Sequence, residues 1–176
     1  MAPRYSVIIH PPESVINEVR ILKQKLQDRI GWYPSCNSLA HITFNLFSGH
    51  ETTLAHWEEY VASFVKPLHA FTACFNRTGS FNNGAFFLAP RKVTHETLTF
   101  IMKNFLRPAS SHLYGKSVNP HISIGRQLKP EQLILARELI KEIHLEFTCD
   151  NLTIRKFNAE RGQYDIYKHF PWGGAS

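Results

Sequence analysis

The spacing of apolar and polar residues changes period along the chain, and each change marks an element. Residues 5–9 are β-branched and apolar and predict a first strand. Pro11-Pro12-Glu13-Ser14 then opens a helix. In it Val15, Val19, Leu22, Leu26 and Ile30 recur at steps of three and four, an apolar stripe that Gly31 stops. After a loop over residues 32–37 the period drops to two. Residues 39–47 predict a strand with His41, Thr43 and Asn45 on one face and Ile42, Phe44 and Leu46 on the other. A second helix fits residues 53–65, ended by Pro67, and strands fit residues 70–76 and 85–88, joined through the turn signal Asn82-Asn83-Gly84. Pro90 opens a helix made amphipathic by Leu98, Ile101, Met102 and Phe105 and closed by Pro108. A long polar loop over residues 109–120, a strand over 121–125, a helix over 130–143 and strands over 145–157 and 163–169 complete the chain. Trp172 anchors its end before a short frayed tail.

This order of elements contains a duplication. A strand, a proline-started helix, a loop and a strand carrying His41-Ile42-Thr43-Phe44 form one copy; the strand at 85–88, the helix after Pro90, a loop and His121-Ile122-Ser123-Ile124 form the other. Pro11 and Pro90 are 79 residues apart (90 − 11), and the two histidines 80 (121 − 41). Two copies of that length are not a solenoid, which stacks more and shorter units. They predict two similar lobes related by a pseudo-twofold axis, each offering one histidine strand to a shared cleft. The whole chain, 1–176, then reads as a single bilobal domain with interleaved lobes and motif strands near 39–47 and 121–126.

Composition narrows the class. With 43% hydrophobic and 19% charged residues the chain is an ordinary globular one, which excludes disordered and fibrous classes. Its apolar runs are too short to span a bilayer, and the first is too short for a signal peptide, so no membrane role is expected. Cys36, Cys74 and Cys149 are odd in number and widely spaced, with no C-x-x-C pair; they predict buried reduced thiols and a cytoplasmic location. A net charge of +6 favours an anionic partner such as a phosphate ester or RNA, although no run of five basic residues exists to grip duplex DNA.

The duplicated motif supplies the chemistry. On a strand, His-x-Thr or His-x-Ser puts imidazole and hydroxyl on the same face, about 6.5–7 Å apart. The imidazole transfers protons near neutral pH, and the hydroxyl donates to a non-bridging phosphate oxygen. Two facing strands give a base, an acid and two donors around one phosphorus, which suits in-line displacement at a phosphodiester without metal or cofactor. With ten histidines in 176 residues a single match is worthless. Two matches, each near a strand start inside a repeated frame, carry weight.

His41-Ile42-Thr43-Phe44 and His121-Ile122-Ser123-Ile124 resemble the paired H-x-[TS]-x motifs of the two-histidine (2H) phosphoesterase superfamily, most closely its bacterial 2′–5′ RNA ligase and cyclic phosphodiesterase branch. Asn119-Pro120 and Gly125-Arg126 resemble the surroundings of the second motif there. The resemblance implies an α+β, bilobal fold: two antiparallel sheets with outer helices and pseudo-twofold related lobes around a central cleft. It implies metal-independent action on a 2′,3′-cyclic phosphate or 2′–5′ linkage, with an RNA terminus or nucleotide as partner and no cofactor. Catalytic roles fall to His41 and His121, and phosphate contacts to Thr43 and Ser123. Arg126 matches an arginine often near the phosphate; strict alternation puts it on the face opposite His121 and Ser123, unless Gly125 marks a bulge that redirects it.

Other readings stand beside this one. His41 and His121 as core histidines satisfied by backbone would not explain their matched placement. As metal ligands they lack H-x-x-x-H or H-E-x-x-H company. His10, His50, His56, His69, His95, His112, His144 and His169 sit at element ends or on helices, where surface placement is the default. Tyr114-Gly115-Lys116-Ser117 lacks the first glycine of a P-loop, since Ser110 stands there. Trp32, Tyr33 and Tyr114 stack a base or simply pack. Two further functions use the same cleft: a non-catalytic RNA- or nucleotide-binding protein, and an acid–base enzyme on a substrate without phosphate. The motifs alone do not say which histidine is base and which acid, and they imply no obligate protein partner.

Overall fold

The computed structural model describes residues 1–108 and 113–173. β1 (Arg4–Ile9) leads into α1 (Glu13–Ile30), whose apolar stripe faces inward and which ends where Gly31 turns left-handed at φ 78. β2 (Ile42–Ser48) returns antiparallel to β1. After α2 (Glu51–Val65), β3 (Phe71–Ser80) and β4 (Phe86–Pro90) form a hairpin, and α3 (Lys92–Leu106) follows. At the hairpin turn Gly84 takes φ 82, and a Cβ there would lie 2.5 Å from the Leu128 carbonyl oxygen, so glycine is required twice over. β5 (Leu113–Lys116), β6 (Ile122–Gly125), α4 (Pro130–Leu139), β7 (Leu145–Cys149), β8 (Asn151–Asn158) and β9 (Gln163–Pro171) complete the order.

The strands form two antiparallel sheets, β5-β2-β1-β8-β9 and β6-β4-β3-β7. The α+β, two-sheet architecture expected from the sequence is therefore present. The duplication is visible in it: β1–α1–β2 and β4–α3–β6 are both antiparallel strand pairs bridged by a helix. The copies are interleaved, because α1 contacts β6 of the other sheet and α3 contacts β2. One apolar cluster joins them, with Val7, Phe44 and Phe47 from the first sheet and Phe75, Leu88 and Ile122 from the second.

Several local expectations need correction. The polar loop expected over 109–120 contains β5, which pairs with β2; residues 109–112 lie outside the described ones. The single strand expected over 145–157 is two strands in different sheets. Asp150 breaks it: its carbonyl accepts the Trp172 amide, while the Asn151 side chain both accepts from the His10 amide and donates to the His10 carbonyl. The burial pattern changes at the break: β7 buries alternate residues, whereas β8 buries Leu152 to Arg155 without interruption. The helix expected over 130–143 ends at Leu139, as Ile140 leaves helical geometry to bury itself.

Candidate active site

His41 and His121 each stand one residue before a motif strand, where the preceding chain still turns. The ring Nδ1 of His41 donates to the Leu39 carbonyl at 2.6 Å, and Nδ1 of His121 donates to the Asn119 carbonyl at 2.7 Å. The same backbone acceptor, two residues upstream, is used in both copies. It fixes the tautomer: Nδ1 carries the proton and Nε2 is left with its lone pair. Both rings are half-buried.

Both motif strands carry the same bulge. In β1–β2, Ile8 faces Thr43 but Val7 faces Asn45, leaving Phe44 extra; in β4–β6, Phe87 faces Ser123 but Phe86 faces Gly125, leaving Ile124 extra. An extra residue shifts the side-chain alternation by one. Asn45 therefore does not share the face of His41 and Thr43. It lies opposite Val7 on the core side, fully buried, with neither side-chain polar atom hydrogen-bonded. Thr43 and Ser123 stay on the histidine face, both half-buried. Arg126 follows the last residue of β6 and stands in a bend, where strand alternation no longer sets its side. A Cβ at Gly125 would lie 3.0 Å from Leu128 and 3.2 Å from the Tyr33 ring. Arg126 itself is exposed, its charge acting on Lys23.

The surroundings of the two rings differ. His41 is held well below the ordinary histidine range, first by burial, then by the positive charge of Arg155, with Lys23 and His121 acting the same way against its bond to Leu39. His121 is lowered by burial alone, against its bond to Asn119. Aromatic walls supply that burial: the Phe87 ring centroid is 5.0 Å from that of His121, and Phe81 meets it edge-on at 5.7 Å. No carboxylate is among the groups that shift either ring.

Lys23 and Arg155 were not singled out by the motifs. Lys23 is 2% exposed, in phase with the apolar stripe of α1 between Val19 and Leu26. Its Nζ donates to the Ser35 carbonyl, the Ser38 carbonyl and Ser38 Oγ, so the loop before His41 wraps around it. The Arg126 amide donates to the Pro34 carbonyl, tying that loop to the second motif. A cation in phase with an apolar face was the available signal for Lys23. Arg155 lay on the polar face of a strand, where solvent is the default.

Of the aromatic candidates, Trp32 is exposed, whereas Tyr33 is buried, its hydroxyl donating to the Lys23 carbonyl. Tyr114 lies on β5 rather than in a loop, its hydroxyl 3.0 Å from that of Tyr164. His10 is half-buried and His169 exposed, and the two are neighbours: their rings lie 5.4 Å apart, and Thr153 Oγ1 is 2.7 Å from Nδ1 of His169. His112 lies outside the described residues. Among the described residues, the possible metal-ligand group is Cys74, His144 and Glu146, which includes neither motif histidine. No described helix is long and apolar enough to cross a membrane.

Known structures share this architecture. TT0787 of Thermus thermophilus superposes with a TM-score of 0.66 at 17% identity, covering 98% of this chain and 100% of that one. E. coli LigT complexed with 3′-AMP gives 0.64 at 14% identity, covering 98% and 99%. Kluyveromyces marxianus Usb1 with uridine monophosphate gives 0.52 at 10% identity, covering 97% of each chain. A comparison of the sequence with curated proteins finds no match. The family model described as the 2′-5′ RNA ligase superfamily matches residues 11–161, and with the two-sheet fold and paired motif strands this chain belongs to that superfamily, among the 2H phosphoesterases.

Proposed function

We propose that the protein is a metal-independent phosphoesterase that opens a 2′,3′-cyclic phosphate, or cleaves or forms a 2′–5′ phosphodiester, at the end of an RNA or nucleotide. The observation that carries this reading is the matched pair of anchors: two imidazoles, each with Nδ1–H on the carbonyl two residues upstream, leave two equivalent Nε2 atoms for proton transfer. In ring opening, His41 Nε2 takes the proton of a water whose oxygen forms the new P–O bond. His121, protonated at Nε2, gives its proton to the ribose oxygen as the old P–O bond breaks. The cations beside His41 favour its neutral form, which suits the base, and ligation is the same path with a 5′-hydroxyl in place of the water. Thr43 and Ser123 donate to the non-bridging oxygens, and Arg126 adds positive charge at the rim. That LigT is known with 3′-AMP and Usb1 with uridine monophosphate supports a nucleotide as ligand. Three free, buried cysteines support a cytoplasmic location.

The test is hydrolysis of nucleoside 2′,3′-cyclic phosphates in EDTA by the wild type, His41→Ala and His121→Ala. Turnover in EDTA that each substitution abolishes is the expected result. Activity that requires added metal, or that survives either substitution, overturns the mechanism. Tight binding of 3′-AMP without any turnover would favour a non-catalytic nucleotide-binding protein.

A further inference from the structure

We propose that the face of the five-stranded sheet that carries Thr43 holds a second anion site, built around Arg155, which takes a substrate phosphate other than the one between the histidines. The inference rests on the phosphoesterase reading above and specifies its substrate: a nucleotide or oligonucleotide with a flanking phosphate rather than a lone nucleoside cyclic phosphate.

The register fixes the place. Thr43, Ile8 and Thr153 form one cross-strand row, and Leu46, Ser6 and Arg155 form the next. Both rows lie on the face opposite Val7 and Ile154, which belong to the core. Arg155 thus lies beyond Thr43 as seen from His41, about 7 Å further along the strands. Its side chain reaches back over β1, where Nε donates to Ser6 Oγ at 3.1 Å. The guanidinium carbon sits 5.1 Å from the Tyr164 ring centroid, and the Tyr164 hydroxyl meets that of Tyr114.

This cation is 7% exposed, and Ser6 is fully buried. Buried arginines are ordinarily paired with a carboxylate, because desolvating a lone charge is costly. Among the described residues none of the ion pairs involves Arg155. Burial lowers it to about 10, with Tyr164 the only group opposing that shift, and its charge reaches both His41 and His10. A desolvated guanidinium held by one serine, with its remaining donors unclaimed by any acid, is built to bond two oxygens of an anion such as phosphate. Arg4, stacked at 3.9 Å over Phe157 and acting on Tyr114, continues the positive charge along the same edge. In the other lobe, Phe87 and Phe81 wall the face beside His121 instead.

The test is calorimetric binding of adenosine 3′-phosphate and adenosine 3′,5′-bisphosphate to the wild type, Arg155→Met and Arg155→Lys. The wild type is expected to prefer the bisphosphate by about ten- to a hundredfold, the worth of a charge-assisted pair. Arg155→Met should bring the ratio near one while retaining the monophosphate, and Arg155→Lys should fall between. A wild-type ratio within about twofold of one overturns the proposal whether or not the variants fold, and so does an Arg155→Met ratio equal to the wild type's. Because both probes are unreactive, the result is separate from turnover: lost cyclic phosphate hydrolysis counts against the phosphoesterase reading, and a flat binding ratio in an active enzyme counts against this site alone.

Discussion

Replacing Lys23 by methionine keeps the buried stem of the side chain and removes the ammonium around which the loop before His41 is wrapped. Two opposing magnitudes decide its effect on stability. Burial lowers the lysine from its ordinary 10.5 to about 8, so holding it charged costs about 3 kcal/mol. Removing it strands the Ser38 carbonyl, a loss of about 1–3 kcal/mol; the Ser35 carbonyl keeps its bond from Ser38 Oγ. The terms nearly cancel, and a cavity of about 170 Å³ lined by Arg20, Lys23 and Ser38 admits water to the freed carbonyl. Global stability should therefore change by no more than about 2 kcal/mol. The loop should not hold. Ser35 sits at φ 73, a left-handed conformation costing about 1–2 kcal/mol for a residue with a Cβ, and Lys23 fastens its carbonyl there. Once released, the loop relaxes and carries with it the Leu39 carbonyl that orients His41. A misplacement near 1 Å is worth about a hundredfold in rate. Urea unfolding and steady-state hydrolysis of a 2′,3′-cyclic nucleotide measure the two effects on the same sample. A folded Lys23→Met protein with kcat/KM within about threefold of the wild type would refute the positioning role.

Other consequences are equally direct. Burial lowers both free imidazoles, and the reaction needs one protonated and one neutral; kcat/KM should therefore peak below pH 6.5, whereas a peak above 7 contradicts the assignment. Because a nearby cation disfavours imidazolium, Arg155→Met should move the His41 limb of that profile to higher pH. Asn45→Val removes a buried amide with no partner and should stabilise the protein by about 1–2 kcal/mol, raising Tm by about 2–6 °C in calorimetry; a lower Tm would show that the amide is satisfied in solution. Phe81 is part-exposed beside His121; if a nucleotide substrate packs on it, as the proposed function expects, Phe81→Ala should raise KM about tenfold or more with little change in kcat, and an unchanged KM rules that contact out.

The repeated strand–helix–strand frame and the two histidine strands were legible because amphipathic periods and a duplicated motif are local signals. What escaped reading was non-local. The bulges at Phe44 and Ile124 are set by pairing with β1 and β4, and the first turns Asn45 inward. The crossing at Asp150 depends on distant partners, His10 and Trp172, which bond Asn151 and Asp150. Lys23 and Arg155 escaped the motif reading because sequence does not show what closes over them. Their burial comes from residues far away in the chain, Ser35 and Ser38 for one and Ser6 and Tyr164 for the other.

The central claim is that the two motif imidazoles act as one unit on one phosphorus atom, and a double-mutant cycle on kcat tests it most directly. In metal-free buffer, His41→Ala and His121→Ala should each remove nearly all catalysis, and the double variant should be hardly slower than either single one. Independent, multiplying losses, with the double variant slower by the product of the two, would mean that the histidines do not share a step.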